Sequence, residues 1–515
     1  MAAATAPLEG LVSGERHLTK AALATRIAAA AGAFSAAGVV QGDCVAILMR
    51  NDMAFLEASL AAIRLGAYAV PVNWHFKADE IAYVLADCGA KLLVAHADLL
   101  DGLDGALAAS LPIIAVATPP EIATAFRLNP DRTHVPAGRR DWETFLAAPA
   151  PDTGPARAPT QSMIYTSGTT GRPKGVRRNP ATPAEEQAIA RSRKSLFGFG
   201  PDVRTLIAGP LYHSAPNGLA LRAVNAIDLT VLMPRFEPEA FLALVERWRI
   251  TTLFMVPTMF VRLLQLPEAT RRRYDMSSLR FVMHAAAPCP PDVKRQMIAW
   301  WGPIVWEFYG ATESGALTVI SSEAWLRKPG SVGRASEGAT LAILGDDGRE
   351  VAQGVIGEIY SRLASYPDFT YHNQPEKRAE IDRGGLITCG DMGYIDVDGY
   401  LFLCDRKRDM VISGGVNIYP AEIEAVLIAL PGVKDCAVFG IPDAEFGEAL
   451  LAVVEPMEGA TLDVGDLRAA LARKLAGYKV PRAIESAGDL PREDSGKIFK
   501  RRLREPYWAD AGRKI

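Results

Sequence analysis

The chain has 515 residues, which is more than a single compact core usually holds and predicts two or more domains. Lysine and arginine number 56 against 59 aspartate and glutamate, and the net charge of −3 gives no electrostatic basis for binding nucleic acid. Because 49% of the residues are hydrophobic and 22% are charged, the composition is that of a folded globular protein and excludes a disordered chain.

Neither the cysteines nor the histidines form a recognisable disulfide or metal pattern. The six cysteines are scattered without a CxxC pair, and the seven histidines without an HxxxH pair. We therefore expect no disulfide framework and no protein-ligated metal centre. The first ten residues do not resemble a secretory signal, and no apolar run approaches the roughly 18 residues of a membrane span. These features predict a cytoplasmic protein without a transmembrane segment.

From about Leu18 to Ile356, short apolar runs alternate with helical patterns. Four of the runs predict buried strands: Val45–Met49, Leu92–Ala95, Leu229–Met233 and Phe281–Met283. This alternation predicts an α/β architecture with largely parallel sheets. The segment Ala148–Pro159, rich in proline, alanine and glycine, predicts a surface connection.

A glycine-rich motif follows that connection, with the sequence YTSGTTGRPKG at positions 165–175. Closely spaced glycines allow the backbone to turn its N–H groups inward, as a polyphosphate site requires. Hydroxyl donors and a cation add to them: Ser167, Thr169, Thr170 and Lys174. A polar hairpin without a ligand is the alternative. Because Arg172 and Pro173 stand between the last glycine and the lysine, the motif is not a Walker A loop, which disfavours an ordinary P-loop NTPase.

The pattern changes after Arg406. Two apolar stripes at helical spacing predict helices, one behind Pro420 and one over Leu467–Leu475. Between them, Cys436–Phe439 and Leu450–Val454 predict strands. We expect a small α+β domain of roughly 100 residues here.

The glycine-rich motif is the first of six that follow one another in an order known from a superfamily. The others are YGATES at 309–314, GDMG at 390–393, DRKRD at 405–409, SGGVNIYPAEIE at 413–424 and PREDSGKI at 491–498. In these motifs the chain resembles the adenylate-forming superfamily: acyl- and aryl-CoA synthetases, adenylation domains of peptide synthetases, and firefly luciferase. The resemblance implies a large N-terminal AMP-binding α/β domain of several subdomains, residues 1–407, and a small mobile α+β C-terminal domain, residues 408–515, with a hinge near Arg408.

The resemblance also implies how ATP and Mg²⁺ bind. The loop would hold the β- and γ-phosphates through Thr166, Ser167, Gly168, Thr169, Thr170, Gly171 and Lys174. Thr312 would contact the α-phosphate, and Glu313 would hold Mg²⁺ together with Thr166.

Tyr309 would stack on the adenine ring. Its neighbours in the implied adenosine site are Ala286, Ala287, Pro288, Phe308 and Gly310. Asp391 would accept hydrogen bonds from both ribose hydroxyls, with Arg406 close to the ribose and phosphate.

The implied acyl site is formed by His213, Ser214, Ala215, Ala285, Phe308, Tyr309 and Gly310. His213 would be a wall or gate of this pocket, although a lone histidine is more often structural. Three positions depart from the superfamily pattern: Ala285 replaces a glycine, Phe308 a small residue and Cys389 a threonine. The added methyl and benzyl groups would narrow one flank of the pocket, whereas small side chains after His213 would open another.

The implied reaction joins a carboxylic acid to CoA and releases AMP and pyrophosphate. The carboxylate would attack the α-phosphorus, and the catalytic residues would be Lys497, Glu313, Thr312 and His213. The C-terminal domain would then rotate about Arg408 and bring the Ser413–Asn417 loop, with Gly414 and Gly415, to the CoA thiol.

The residues do not identify the acid, and we expect an aromatic, arylalkanoic or medium-chain fatty acid. Two alternatives remain open: a stand-alone adenylation enzyme that loads an acyl carrier protein, and a non-catalytic acyl-adenylate sensor. The expected partners are the acid, ATP and CoA, without nucleic acid. The sequence does not determine the oligomeric state, and a homodimer is one of the states left open.

Overall fold

The computed structural model describes residues 9–103, 105–147, 152, 157–158, 160–166, 172–443, 445–492 and 498–509, without the side chains of residues 193–195. Most of the predicted connection Ala148–Pro159 lies outside the described residues. Ser167, Gly168, Thr169, Thr170 and Gly171 of the glycine-rich loop also lie outside them, as does Lys497.

A five-stranded parallel sheet forms in the first part of the chain. Its strands are β3 (Cys44–Leu48), β4 (Tyr68–Pro71), β5 (Ala90–His96), β6 (Ile113–Val116) and β7 (Arg140–Asp141), in the order β4-β3-β5-β6-β7. The intervening helices are α2 (Met53–Arg64), α3 (Ala78–Asp87), α4 (Ala97–Leu100), α5 (Pro120–Phe126) and α6 (Trp142–Ala147). Most of these strands are buried, and they are therefore nearly continuous apolar runs. The predicted strands Val45–Met49 and Leu92–Ala95 are confirmed here as β3 and β5.

A larger sheet of 14 strands contains the other two predicted strands. Its parallel half consists of β1 (Gly10–Ser13), β10 (Arg204–Ile207), β11 (Leu229–Leu232), β12 (Thr252–Met255), β13 (Phe281–His284) and β14 (Val305–Ala311), with β2 (Arg16–Leu18) antiparallel at the edge. The helices in this part of the chain are α1 (Lys20–Ala36), α7 (Pro183–Phe197), α8 (Ser214–Ala226), α9 (Pro238–Trp248), α10 (Pro257–Leu264), α11 (Glu268–Arg271) and α12 (Pro291–Trp301).

The prediction of largely parallel sheets, made for residues 18–356, holds for most strands up to β14, whereas the other half of this sheet is antiparallel and most of its strands follow residue 356. Beyond β14 the strands pair antiparallel: β15 (Gly315–Ile320), β16 (Ser331–Ala335), β17 (Ala339–Leu344), β18 (Gly357–Leu363), β20 (Asp382–Arg383), β21 (Leu386–Ile395) and β22 (Leu401–Arg406). Only two short helices, α13 (Ser322–Arg327) and α14 (Pro375–Glu380), interrupt these strands within the described residues. Parallel pairing needs a long crossover, and short connections favour antiparallel pairing.

The glycine-rich motif spans the turn of a β-hairpin. Strands β8 (Ile164–Thr166) and β9 (Lys174–Arg178) pair antiparallel, and β19 (Phe369–Tyr371) adds a third strand beside β9. Thr166 and Lys174 are register partners, so the described residues on either side of 167–171 lie side by side.

The last part of the chain folds as the small α+β unit that the sequence predicts. Its sheet comprises β23 (Val411–Ser413), β24 (Val416–Ile418), β25 (Val433–Asp443), β26 (Gly447–Pro456) and β27 (Ala483–Ser486), and its helices are α15 (Pro420–Leu427), α16 (Val464–Lys474) and α17 (Lys500–Trp508). Ile423, Leu427, Leu467 and Leu471 are buried in a core of their own, as their helical spacing predicts. Across the described residues, no helix is both long and apolar enough to cross a membrane.

Candidate active site

The carboxyl ends of the parallel strands β10, β12, β13 and β14 open onto one large cleft. In open α/β sheets, ligands bind outside this edge. The cleft has a volume of about 4150 Å³. A pocket for one small ligand has roughly 300–1,000 Å³. The cleft therefore has room for more than one ligand at a time.

Tyr309, Asp391 and Arg406 form a bonded row in this cleft. The Tyr309 hydroxyl donates to Asp391 Oδ2 over 2.8 Å, and Arg406 Nε lies 3.2 Å from Asp391 Oδ1. Asp391 and Arg406 are register partners on β21 and β22, so the antiparallel ladder itself sets their contact. Burial and the Asp391 carboxylate raise the pKa of Tyr309 well above its usual value, which keeps the phenol a neutral donor. Three residues predicted for adenosine binding are thus brought together.

The loop after β13 lines the same cleft with Ala285, Ala286, Ala287 and Pro288. Ala286 has a φ of 77°, a conformation that residues other than glycine rarely adopt. Gly310 is required for a different reason, because a Cβ there would lie 1.9 Å from the carbonyl oxygen of Gly315. Small residues therefore let the backbone of both segments approach closely.

Glu313 accepts hydrogen bonds from two hydroxyls, Thr166 Oγ1 at 3.2 Å and Tyr371 Oη at 3.1 Å. Burial, followed by the charge of Glu313, raises the pKa of Tyr371, so this phenol stays a donor. Lys174 Nζ lies 5.1 Å from the centroid of the Tyr371 ring. Burial and then the charge of Lys377 lower the pKa of Lys174. Of the described ends of the glycine-rich loop, Thr166 therefore contacts Glu313 directly, and Lys174 lies against its partner Tyr371.

The oxygen donors around Glu313 fit a hard divalent cation, because Mg²⁺ prefers carboxylate, hydroxyl and phosphate oxygens. Within the described ranges, no group of three or more His, Cys, Asp or Glu side chains could hold a metal ion by itself. A magnesium ion at this site would therefore share oxygens of a bound phosphate, with Thr166 and Glu313 as its protein partners.

Another part of the cleft is mostly apolar and aromatic. His213 immediately precedes α8, and Ser214 and Ala215 form the first turn of that helix. The Phe308 ring centroid lies 6.1 Å from that of Phe254, and both rings line the cleft. Ala285 is buried beside them in the same core. All the residues predicted for the acyl pocket line the same cleft.

Thr312 connects the two parts of the cleft. Its Oγ1 donates to Ser214 Oγ over 3.0 Å, and the next residue, Glu313, belongs to the hydroxyl network described above. The turn between β14 and β15 therefore contacts both the start of α8 and the end of β8.

Two predicted residues lie elsewhere. Gly414 and Gly415 do not line the cleft, and a Cβ on Gly414 would contact Phe446 of the small domain. Asn417, on the same hairpin, does line it. The roles assigned to all these residues, and to Lys497 and the loop Ser167–Gly171, stay predictions.

Two residues of this region, Tyr371 and Arg178, are not among those predicted from the sequence. Arg178 is 5% exposed and binds the backbone of the turn that carries Thr312 and Glu313. An arginine at a strand position next to a phosphate-binding motif is a signal that could have identified it. Tyr371 is far from that motif in sequence, and nothing around it indicates a contact with Glu313.

Comparisons with known proteins agree with this geometry over nearly the whole chain. The AMP-binding enzyme family matches residues 2–365, and the AMP-binding enzyme C-terminal domain matches residues 422–497. The chain is 36% identical over 504 residues to a feruloyl-CoA synthase of an Amycolatopsis species, which covers 96% of this chain and 95% of that enzyme. It is 34% identical to the indoleacetate–CoA ligase of Aromatoleum aromaticum, covering 95% of this chain and 93% of the relative.

Among solved structures, ATP-bound MatB from Rhodopseudomonas palustris superimposes with a TM-score of 0.83 at 30% identity. The match covers 98% of this chain and 97% of MatB. Both the family assignment and the predicted fold class are thereby confirmed. The chain belongs to the AMP-binding enzyme family, in which it is an AMP-forming acid–thiol ligase that uses ATP and CoA.

Proposed function

We propose that this ligase activates an aromatic or arylalkanoic acid as its acyl-adenylate and transfers the acyl group to CoA. The observation that carries the proposal is the aromatic lining of the acyl pocket. Phe254 and Phe308 meet at an interplanar angle of 34°, and the rings of Tyr212 and His213 lie 4.5 Å apart between their centroids. Aromatic walls favour a flat ring through offset or edge-on contacts.

Two of the relatives support the same class of acid, whereas a third, the long-chain-fatty-acid–CoA ligase FadD13 of Mycobacterium tuberculosis, is 33% identical and is named for a fatty acid. Feruloyl-CoA synthase and indoleacetate–CoA ligase are named for acids that carry an aromatic ring. Phe308 is half-buried and lines the cleft, where the superfamily pattern has a small residue. The competing substrate class is a medium-chain fatty acid, and a screen of acids separates it from the aromatic class.

In the first half-reaction, a carboxylate oxygen of the acid attacks the α-phosphorus of ATP, and pyrophosphate leaves. Tyr309, Asp391 and Arg406 hold the adenosine, while Thr312 contacts the α-phosphate. The loop from Thr166 to Lys174 binds the β- and γ-phosphates. Mg²⁺, when bound, neutralises phosphate charge as a Lewis acid. These residues act mainly by positioning and by electrostatic stabilisation.

Lys497 would place an ammonium group between the carboxylate and the α-phosphate in this step. It belongs to the small domain and lies outside the described residues. Its neighbours Ile498 and Phe499 line the cleft, which supports the proposal that the lysine reaches the reacting groups.

In the second half-reaction, the CoA thiolate attacks the acyl carbonyl and AMP leaves. We place the hinge for the change between steps at Arg408. The bond from the Ala421 N–H to Asp405 Oδ2, 2.8 Å long, joins the two sides of this position, whereas the pair Lys500–Glu424 lies wholly within the small domain and would move with it.

The test is a screen of carboxylic acids with ATP and CoA, in which AMP and acyl-CoA are both quantified. We expect hydroxycinnamic or arylacetic acids to exceed medium-chain fatty acids in kcat/KM by about tenfold or more, a ratio within the reach of pocket contacts. A preference for fatty acids would contradict the aromatic assignment. AMP formation without acyl-CoA would favour the carrier-protein alternative.

A second experiment tests the role of Lys497. The variant Lys497→Ala should slow pyrophosphate release by about two to three orders of magnitude, because a well-placed electrostatic contact is lost. Thioester formation from supplied acyl-adenylate should persist. The matched control is Lys474→Ala, an exposed lysine of the same domain that does not line the cleft. Equal loss in the two variants, or normal pyrophosphate release by Lys497→Ala, would contradict the assignment.

A further inference from the structure

Arg178 lies at the end of β9 with its guanidinium buried against three backbone carbonyls. Nη1 donates to the carbonyl of Pro367 over 2.6 Å, and Nη2 donates to that of Glu313 over 2.7 Å and to that of Thr312. The residue is 5% exposed. A planar guanidinium has several donors in a fixed fork, so it can hold these carbonyls in one arrangement.

The face of the same guanidinium rests on an aromatic ring. Arg178 Cζ lies 3.9 Å from the centroid of the Tyr366 ring, and the Tyr366 hydroxyl bonds to Gln161 Oε1 over 3.2 Å. Gly315 makes this possible, because a Cβ there would lie 2.8 Å from the ring. Burial would raise the pKa of Tyr366, but the charges of Arg178 and Arg222 outweigh it and lower this pKa. The guanidinium is therefore held by hydrogen bonds at its edge and by the Tyr366 ring against its face.

Two of the three carbonyls that Arg178 holds, those of Thr312 and Glu313, belong to the turn that faces the nucleotide phosphates in the proposed function, and the third anchors the guanidinium to Pro367. Holding a peptide carbonyl fixes the peptide plane and so limits the direction of the adjoining side chains. The two side chains concerned make specific contacts, Thr312 Oγ1 to Ser214 at 3.0 Å and Glu313 Oε1 to Thr166 at 3.2 Å. A shift of the turn would therefore move both of them relative to the phosphate loop.

We infer that Arg178 is a positioning residue for nucleotide binding, which sets Thr312 and Glu313 against the phosphates of ATP. The inference rests on the proposed function for the roles of those two residues. It does not depend on which acid the enzyme uses. Lysine cannot replace Arg178, because an ammonium group lacks the planar fork that reaches three carbonyls.

The neighbouring Arg177 provides a matched control. Successive residues of a strand point to opposite faces, and Arg177 stacks on Tyr68 with Cζ 4.5 Å from the ring centroid. It donates to the carbonyl of Gly42 over 3.3 Å. It thus resembles Arg178 in charge, ring contact and carbonyl bonding, but its described contacts do not include the turn at Thr312 and Glu313.

The experiment compares Arg178→Lys and Arg178→Met with Arg177→Met by calorimetric titration with a non-hydrolysable ATP analogue, at several Mg²⁺ concentrations and without any acid. We expect both Arg178 variants to bind the analogue about ten- to a hundredfold more weakly, since hydrogen bonds from a charged donor are lost. The Mg²⁺ concentration for half-maximal binding should rise as well. Arg177→Met should bind the analogue like the wild type, with a thermal midpoint lowered as in the Arg178 variants.

Pyrophosphate release then gives a second measurement. The KM for ATP should rise in Arg178→Lys, and a folded variant is verified by its thermal midpoint. Wild-type analogue affinity and wild-type Mg²⁺ dependence in folded Arg178→Lys would overturn the inference. Equal weakening in Arg177→Met would also overturn it, because the effect would then be a general loss of stability. If the wild type binds the analogue but turns over no acid, the proposed function fails and the inference about Arg178 stands.

Discussion

The buried ion pair Lys294–Glu307 joins helix α12 to strand β14 of the candidate active site. Removal of Lys294 should lower the free energy of unfolding by a large and pH-dependent amount. Lys294 has no exposed surface, and its Nζ lies 2.5 Å from Glu307 Oε2. Glu307 and the cleft-lining Phe308 are adjacent on β14, so they point to opposite faces of the sheet. The variant Lys294→Met leaves a buried carboxylate without its cation. Breaking a buried pair in this way costs about 3–5 kcal/mol.

Among the described residues, Lys294 and His284 are the basic groups within ion-pair distance of Glu307, and His284 does not replace the lost charge. His284 Nε2 lies 3.5 Å from the same Glu307 oxygen, but burial, followed by the charge of Lys294, lowers the pKa of His284 well below its usual value. The imidazole is therefore neutral near pH 7 in the wild type, and burial, the larger of the two causes, still disfavours its protonation in the variant. The double variant Lys294→Met/Glu307→Gln removes both charges, and it should cost clearly less than the single variant.

The sign of the pH dependence follows from Glu307. Burial raises the pKa of its carboxyl, and Lys294 offsets part of this rise. Without Lys294 the folded-state pKa rises further above the unfolded value of about 4.3. A group with a raised folded pKa contributes stability below its unfolded pKa and loses that contribution as pH rises through the folded pKa. The destabilisation by Lys294→Met should therefore be smallest near pH 4 and grow towards neutral pH.

Denaturant unfolding followed by tryptophan fluorescence is the assay, because the Trp325 ring lies 4.9 Å from Lys294 Nζ. The free energy of unfolding of the large domain is compared between wild type, single and double variants at several pH values. A pH-independent penalty, or a double variant as unstable as the single one, would refute the reasoning.

Three further predictions concern the pocket, the hinge and one strained residue. Phe308→Gly should extend the accepted acids towards bulkier ones. The activation free energy derived from kcat/KM should shift by roughly 1–3 kcal/mol for each methylene-sized change in the acid. An unchanged acid profile would show that the ring does not contact the substrate. Arg408→Pro restricts φ at the proposed hinge and should impair one half-reaction far more than the other, whereas equal loss in the folded variant would argue against domain alternation. Ala286→Gly relieves a positive φ of 77° and should raise the free energy of unfolding by about 1 kcal/mol, and a lower denaturant midpoint would disprove this account of the strain.

Four of the parallel strands could be predicted because each contains a short, largely buried apolar run, as at Leu229–Leu232. The antiparallel half of the large sheet could not be predicted in the same way. Strand β18, with the sequence GEIYSRL, has exposed or half-buried positions at Glu358, Arg362 and Leu363, and so lacks a continuous apolar run. Strand β21 includes the GDMG motif, whose glycines and aspartate conceal its strand character. In β21 a functional motif thus hides the local signal for a strand, and in β18 the polar residues do so.

For the site, motif order identified the residues, whereas their contacts depend on tertiary structure. Tyr309, Asp391 and Arg406 come from three separate motifs, and their hydrogen bonds require the pairing of β21 with β22. Arg178 contacts carbonyls from segments far apart in the chain. No local pattern encodes such contacts, because they arise only when the strands and loops assemble.

The most direct test of the central claim is to follow a carboxylate oxygen through the reaction. The acid that performs best in the screen is labelled with a heavy oxygen isotope at its carboxylate, and the products formed with ATP and CoA are analysed by mass spectrometry. If the carboxylate attacks the α-phosphorus, one labelled oxygen must remain on AMP when the thiolate displaces it, and the other stays in the acyl-CoA carbonyl. Our account predicts singly labelled AMP and unlabelled pyrophosphate. Unlabelled AMP, or label in pyrophosphate or phosphate, would contradict it.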